Sequence, residues 1–100
     1  MGKLERDFQA DLIKEIKSEF PGSVVLKLDP NYIQGTPDLL VLQENKWATL
    51  ECKKSEEDRK NPRPNQEYYV EKHNSMSFSR FIFPENKKEV LNELREFFLS

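Results

Sequence analysis

The sequence predicts an α/β fold, a sandwich of helices around a small central mixed sheet, and three observations carry that prediction. A chain of 100 residues is the length of one domain. Its two ends place apolar residues at helical three- and four-residue steps, whereas its middle holds short Val- and Leu-rich runs. A second polar-and-aromatic segment of helical character interrupts those runs. The resulting order is α-β-β-β-α-β-α within a single domain spanning residues 1–100.

The first helix is expected from Leu4 to Phe20, because Leu4, Phe8, Leu12, Ile13, Ile16 and Phe20 form one apolar stripe. Pro21-Gly22 ends it, with glycine in its usual place beyond a helix C-terminus. Ser23 to Leu28 reads as a strand, broken by Asp29-Pro30-Asn31. Gly35-Thr36-Pro37 leads into a short apolar strand opened by a carboxylate, Asp38 to Leu42. Glu44-Asn45-Lys46 reads as a turn, and Trp47 to Lys53 as the returning strand of a hairpin. Side chains alternate along that strand, so Ala48, Leu50 and Cys52 share one face and Thr49, Glu51 and Lys53 the other. Cys52 is thereby expected in the core.

Ser55 to Pro64 is expected to be a polar loop, kept irregular by Pro62 and Pro64. Asn65 to Asn74 is expected to be a helix, with one of Tyr68 and Tyr69 packed inward and His73 near its end. Ser77 to Phe83 alternates as a strand, and Trp47 is assigned to sheet packing. Beyond Pro84, Glu85 to Leu99 is a second amphipathic helix with Val90, Leu91, Leu94, Phe97 and Phe98 inward.

Composition narrows the function classes. Charged residues make up 34% of the chain and hydrophobic residues 36%, a polar-leaning mixture with no run near the roughly 20 apolar residues that span a bilayer. Met1-Gly2-Lys3-Leu4-Glu5-Arg6 lacks the apolar stretch of a signal peptide, and Arg6 breaks the myristoylation pattern. An intracellular, cytoplasmic location is expected, without a membrane partner. The single Cys52 fits a reducing compartment. A net charge of −2 argues against a purely electrostatic nucleic-acid binder. The charge is uneven, however, with Lys53, Lys54, Arg59, Lys60 and Arg63 gathered in one stretch.

The chemistry is concentrated between Asp38 and Lys53. Hairpin pairing can bring Asp38 beside Glu51, and the two-residue period puts Lys53 on the Glu51 face. Adjacent carboxylates repel unless a positive group joins them. Mg²⁺ does so well, since it takes oxygen ligands at about 2.0–2.1 Å and commonly uses one or two carboxylates while keeping several waters. With Lys53 close by, such a site can activate water and stabilise charge building up at a phosphate.

Gly35-Thr36-Pro37-Asp38, the spacing to Glu51-Cys52-Lys53, and Gln66 on the following helix resemble the PD-(D/E)XK nuclease superfamily. The likeness is greatest to small stand-alone VRR-NUC-type and Holliday-junction-resolvase-like nucleases, many of them from phages. It covers nearly the whole chain, from the helix bearing Glu5 to the strand ending near Phe83. The resemblance implies a restriction-endonuclease-like sandwich and Mg²⁺- or Mn²⁺-dependent endonuclease activity on DNA, structure-selective for branched or junction DNA. It makes Asp38, Glu51 and the backbone carbonyl of Cys52 metal ligands, and has Lys53 position the attacking water. Gln66 would hydrogen-bond near the scissile phosphate. Glu5 matches the extra acidic residue of the first helix, with Glu15 a second candidate for that role. A homodimer is also implied, and the Phe97-Phe98-Leu99 end offers apolar surface for one. The family's loop after the Glu-x-Lys contains glycine, whereas Ser55 to Pro64 here contains none.

Plainer readings compete with each assignment. Asp38 can be a turn residue after Pro37, Glu51 and Lys53 a solvated ion pair, and Glu5 a helix-dipole partner. Lys54, Arg59, Lys60 and Arg63 can track phosphates or merely line a surface loop. The alternative function is a catalytically inactive module of the same fold that binds nucleic acid or a protein partner.

Overall fold

A computed structural model describes residues 4–100. Met1, Gly2 and Lys3, which entered the reading of leader and lipidation signals, lie outside the described residues. The elements are α1 (Glu5–Glu19), β1 (Val24–Lys27), β2 (Leu39–Gln43), β3 (Lys46–Cys52), α2 (Glu56–Arg59), α3 (Gln66–Met76), β4 (Phe78–Ile82) and α4 (Lys87–Leu99). This is the expected order with one addition. The segment expected to be an irregular loop, Ser55 to Pro64, contains the short helix α2. Ser55 caps it, accepting from the main-chain N–H of Asp58 at 3.1 Å. The two prolines lie beyond its end and cannot prevent it. The helix expected from Asn65 to Asn74 also runs on to Met76.

The four strands form one sheet in the order β1-β2-β3-β4. The first two pairings are antiparallel, and β3 and β4 are parallel, joined through α2 and α3. The β2–β3 hairpin closes through two residues, Glu44 and Asn45, which fixes Gln43 opposite Lys46 and Leu39 opposite Leu50. One step further, that register sets Asp38 opposite Glu51.

Leu39, Val41, Ala48, Leu50, Cys52, Phe78 and Ile82 face one way and meet Phe8, Leu12, Ile16 and Phe20 of α1 and Val90, Leu91 and Leu94 of α4. Burial of these side chains is the main source of stability. Lys87 to Glu15 at 2.8 Å, and Arg95 to Glu19, tie the two helices together at the surface. Cys52 is buried, as expected, and Phe97 and Phe98 pack partly against the core while Leu99 stays exposed. The opposite face carries α3 over β3 and β4, burying Val70, Phe81 and Phe83 outside the main core. The outer edge of β4 is closed by side chains rather than by another strand. Asn74 accepts from the N–H of Ser79 at 3.1 Å, and Asn86 bonds the N–H of Phe83 and the carbonyl of Phe81 at 2.8 and 3.1 Å. No helix among the described residues is long and apolar enough to cross a membrane.

Gly35 holds the loop before β2 against α3. Its φ is +92°, and a Cβ there would stand 2.6 Å from Cβ of Asn65. Gly35→Ala is expected to lower stability by about 2 kcal/mol from the left-handed backbone alone, with more from the clash. Chemical denaturation checks it. An unchanged midpoint would mean that the loop and α3 are not in contact.

Candidate active site

Both faces of β3 are covered, so its alternating polar residues are not solvated. Thr49, Glu51 and Lys53 are as buried as the apolar residues between them, with Glu51 2% and Lys53 4% exposed. Burying a carboxylate and an ammonium is costly unless each finds partners, and the structure supplies them. The carboxyl of Asp38 hydrogen-bonds to that of Glu51. Oδ2 of Asp38 also accepts from the main-chain N–H of Cys52 at 2.9 Å. In extended backbone the carbonyl of a residue projects to the same edge as its N–H, so the Cys52 carbonyl is turned toward Asp38. Nζ of Lys53 donates to Oε1 of Gln66 at 2.7 Å, and the same oxygen accepts from the N–H of Arg63 at 2.9 Å. Gln66 thus uses its carbonyl to hold the lysine, leaving its amide N–H groups for another acceptor.

These residues open into a cleft of about 580 Å³ lined by Glu5, Asp38, Glu51, Lys53, Arg63 and Gln66, with Asp58 and the loop from Pro30 to Thr36 at its sides. Burial pushes Glu51 well above the usual carboxylate range, the hydrogen bond and charge of Asp38 add to this, and Lys53 acts against it. Glu5 is raised in the same direction, first by burial and then by Asp38. Among the described residues no lysine or arginine forms an ion pair with Asp38 or Glu51.

The structure therefore brings Asp38, Glu51, Lys53 and Gln66 together, with Glu5 and Arg63 on the walls of the same cleft. It does not bring Glu15 there. Glu15 lies about 15 Å further along α1 and hydrogen-bonds Lys87, which lowers its pKa. The remaining cations of the basic stretch are elsewhere. The Arg59 guanidinium stacks 3.8 Å from the Phe81 ring centre and pairs with Glu67 at 3.3 Å, Lys60 pairs with Glu57, and Lys54 is exposed outside the cleft. His73 stands apart from the cleft, its Nδ1 2.9 Å from Oγ1 of Thr49 and its ring edge-on to Trp47, with a pKa lowered by burial. Asp58 and Asn61 also line the cleft. The sequence gave no signal for them as site residues, although the Ser55-x-x-Asp58 spacing of a capping motif marks the helix that carries Asp58.

Among the described residues no set of three or more His, Cys, Asp or Glu side chains is arranged to hold a metal ion. Glu5 accordingly lines the cleft without completing a third carboxylate beside Asp38 and Glu51. A donor set of two touching carboxylates and a main-chain carbonyl, one carboxylate buried and neither ion-paired, fits a hard divalent cation that keeps several waters. It does not fit tetrahedral zinc, which takes three or four protein ligands, commonly nitrogen or sulfur. The neighbouring thiol of Cys52 is buried at 1% exposure, and burial pushes its pKa far up. Cys52 is expected to resist alkylation in the folded protein and to react at the rate of global unfolding. Rapid labelling without loss of structure would contradict its place in the core.

What fold and site define together is a helix-flanked α/β domain with a carboxylate–carboxylate–lysine cleft. Comparisons of the chain with protein-family models, with curated proteins and with solved structures return no match.

Proposed function

We propose that this chain is a metal-dependent nuclease of the PD-(D/E)XK type, hydrolysing DNA phosphodiester bonds. The observation that carries the reading is the contact between the Asp38 and Glu51 carboxyl groups, with Lys53 beside them on the strand and in the same cleft. A buried like-charge pair is unfavourable by itself and becomes favourable when it holds a cation. The expected restriction-endonuclease-like sandwich is part of the same proposal, supported by the mixed sheet with helices on both faces.

Asp38, Glu51 and the Cys52 carbonyl would hold Mg²⁺ or Mn²⁺, with Glu5 reaching it through water. When bound, such a cation supplies charge neutralisation and Lewis-acid polarisation at the phosphate. Lys53 contributes a fixed ammonium that orients the attacking water and stabilises negative charge on the phosphoryl oxygens. Gln66 keeps that ammonium in place through its carbonyl and can donate from its amide to a phosphate oxygen. Arg63, on the cleft wall, is placed to bind an adjacent phosphate. Water adds to phosphorus, one P–O bond breaks, and the products are a phosphate monoester and a free hydroxyl.

The test mixes purified, folded protein with branched, duplex and single-stranded DNA in Mg²⁺, Mn²⁺ or chelator. Cleavage that requires the metal is expected. Intact DNA throughout would leave the second reading, a non-catalytic module that binds nucleic acid or a protein, which the net charge of −2 favours.

A further inference from the structure

The walls of the cleft carry an imbalance. Its acidic lining residues are Glu5, Asp38, Glu51 and Asp58, and its basic ones Lys53 and Arg63. Gripping a duplex ordinarily uses a row of lysines and arginines that neutralise successive phosphates. Here the cations that might extend such a row are engaged, Arg59 with Phe81 and Glu67, Lys60 with Glu57, and Arg80 with Glu93. Backbone electrostatics therefore supply little of the affinity, and another contact has to.

Two tyrosines beside the cleft are suited to that. Tyr32 is 84% exposed in the loop whose residues Asn31 and Gln34 line the cleft. The loop is ordered by its own hydrogen bonds, from the N–H of Asn31 to Oδ1 of Asp29 at 2.8 Å and from the N–H of Thr36 to the carbonyl of Ile33 at 3.2 Å. It rests on Asn65, the residue before α3, through Gly35. Tyr68 is 58% exposed one helical turn beyond Asn65 and two residues from Gln66, its ring held edge-on to Tyr69 at 5.0 Å. One exposed aromatic ring thus stands on each of the two elements that meet at the cleft, each held by local contacts and neither buried in the core.

We infer that Tyr32 and Tyr68 are base-stacking positions, and that the cleft takes a strand whose bases are unpaired beside the scissile phosphate in preference to a fully paired duplex. A paired base has both faces covered by its neighbours in the stack, whereas an unpaired one offers a free face to a tyrosine ring. This inference rests on the nuclease reading for what happens at the phosphate, but the stacking itself is measurable without cleavage.

The test uses the whole chain in Ca²⁺, with oligonucleotides carrying 2-aminopurine and their integrity checked on a gel. The single strand is expected to bind at least about tenfold more tightly than a blunt duplex of equal length, with a fluorescence change that reports stacking. Tyr32→Ala and Tyr68→Ala should each weaken single-strand binding about tenfold and leave duplex binding unchanged, whereas Tyr32→Phe and Tyr68→Phe retain it. Equal affinity for the two forms, absence of single-strand binding, or alanine variants that bind like wild type would each overturn the inference. Stacking that persists while Mg²⁺ and Mn²⁺ give no cleavage would remove the nuclease reading and leave the binding surface standing.

Discussion

Glu51→Gln is expected to abolish metal-dependent cleavage, by about a thousandfold or more, while raising the stability of the metal-free protein above neutral pH. The two effects have one origin. Removing a metal-holding carboxylate forfeits several kcal/mol of transition-state stabilisation, and about 4 kcal/mol corresponds to about a thousandfold in rate. In the absence of metal the same carboxylate is a liability. Burial and the touching Asp38 raise its pKa above its unfolded value, so the folded state holds the Glu51 proton more tightly than the unfolded state does. By linkage, this contribution is fully present below the unfolded value of about 4.5 and is lost as pH rises toward the elevated folded value. Glutamine is neutral throughout and can donate its amide N–H to Asp38. Measured in chelator, the melting temperature of Glu51→Gln should therefore exceed that of wild type by a margin that widens from pH 5 to pH 8. His73 and Glu15, which titrate in the opposite sense, cancel in the difference between the two proteins. Added Mg²⁺ or Mn²⁺ should stabilise wild type more than the variant. A margin independent of pH would show that the position-51 carboxyl is not buried against Asp38.

The neighbouring residue carries the opposite expectation. Leu50→Ala should cost about 2–5 kcal/mol of folding stability while leaving cleavage per folded molecule close to wild type. Leu50 is fully buried, lies opposite Leu39 across the hairpin, and sits where α1 and α4 close over the sheet. Truncation leaves a cavity between three layers that are tied together elsewhere and can collapse only in part. Against a typical total of 5–15 kcal/mol, that is a large share of what holds the domain. Its side chain points away from Asp38, Glu51 and Lys53, so the site itself should survive in molecules that remain folded. Urea denaturation and activity corrected for the folded fraction separate the two quantities. A loss under about 1 kcal/mol would mean that the core is looser than its burial indicates.

Much of this geometry was legible along the chain because strands obey a local rule. Alternation fixed which residues of β3 share a face, and the two-residue turn fixed their partners, so the approach of Asp38 to Glu51 followed from counting. Helix periodicity likewise identified Phe8, Leu12 and Ile16, and Val90, Leu91 and Leu94, as inward-facing. Counting failed where position depends on what lies across the fold. Glu15 could be placed on the same side of α1 as Glu5 by turns of helix, yet the cleft ends long before it and Lys87 claims it. Helix α2 was hidden because the prolines after it dominated the reading of a segment whose Ser55 cap was already visible. The basic stretch looked continuous in sequence and is dispersed in space, since Arg59 turns to Phe81 while Arg63 turns to the cleft.

By itself the sequence determined the elements, the face each residue occupies, and the pairing that sets two carboxylates and a lysine side by side, because these follow from backbone periods and from a turn that admits one register. The tertiary structure alone decided that this face is dry. Only when α3 lies across β3 and β4 do Glu51 and Lys53 lose their water, and only then does Gln66 come within 2.7 Å of the lysine. Desolvation turns a polar strand face into a site with a raised carboxyl pKa, and it depends on the packing of segments distant in the chain, which no local pattern encodes.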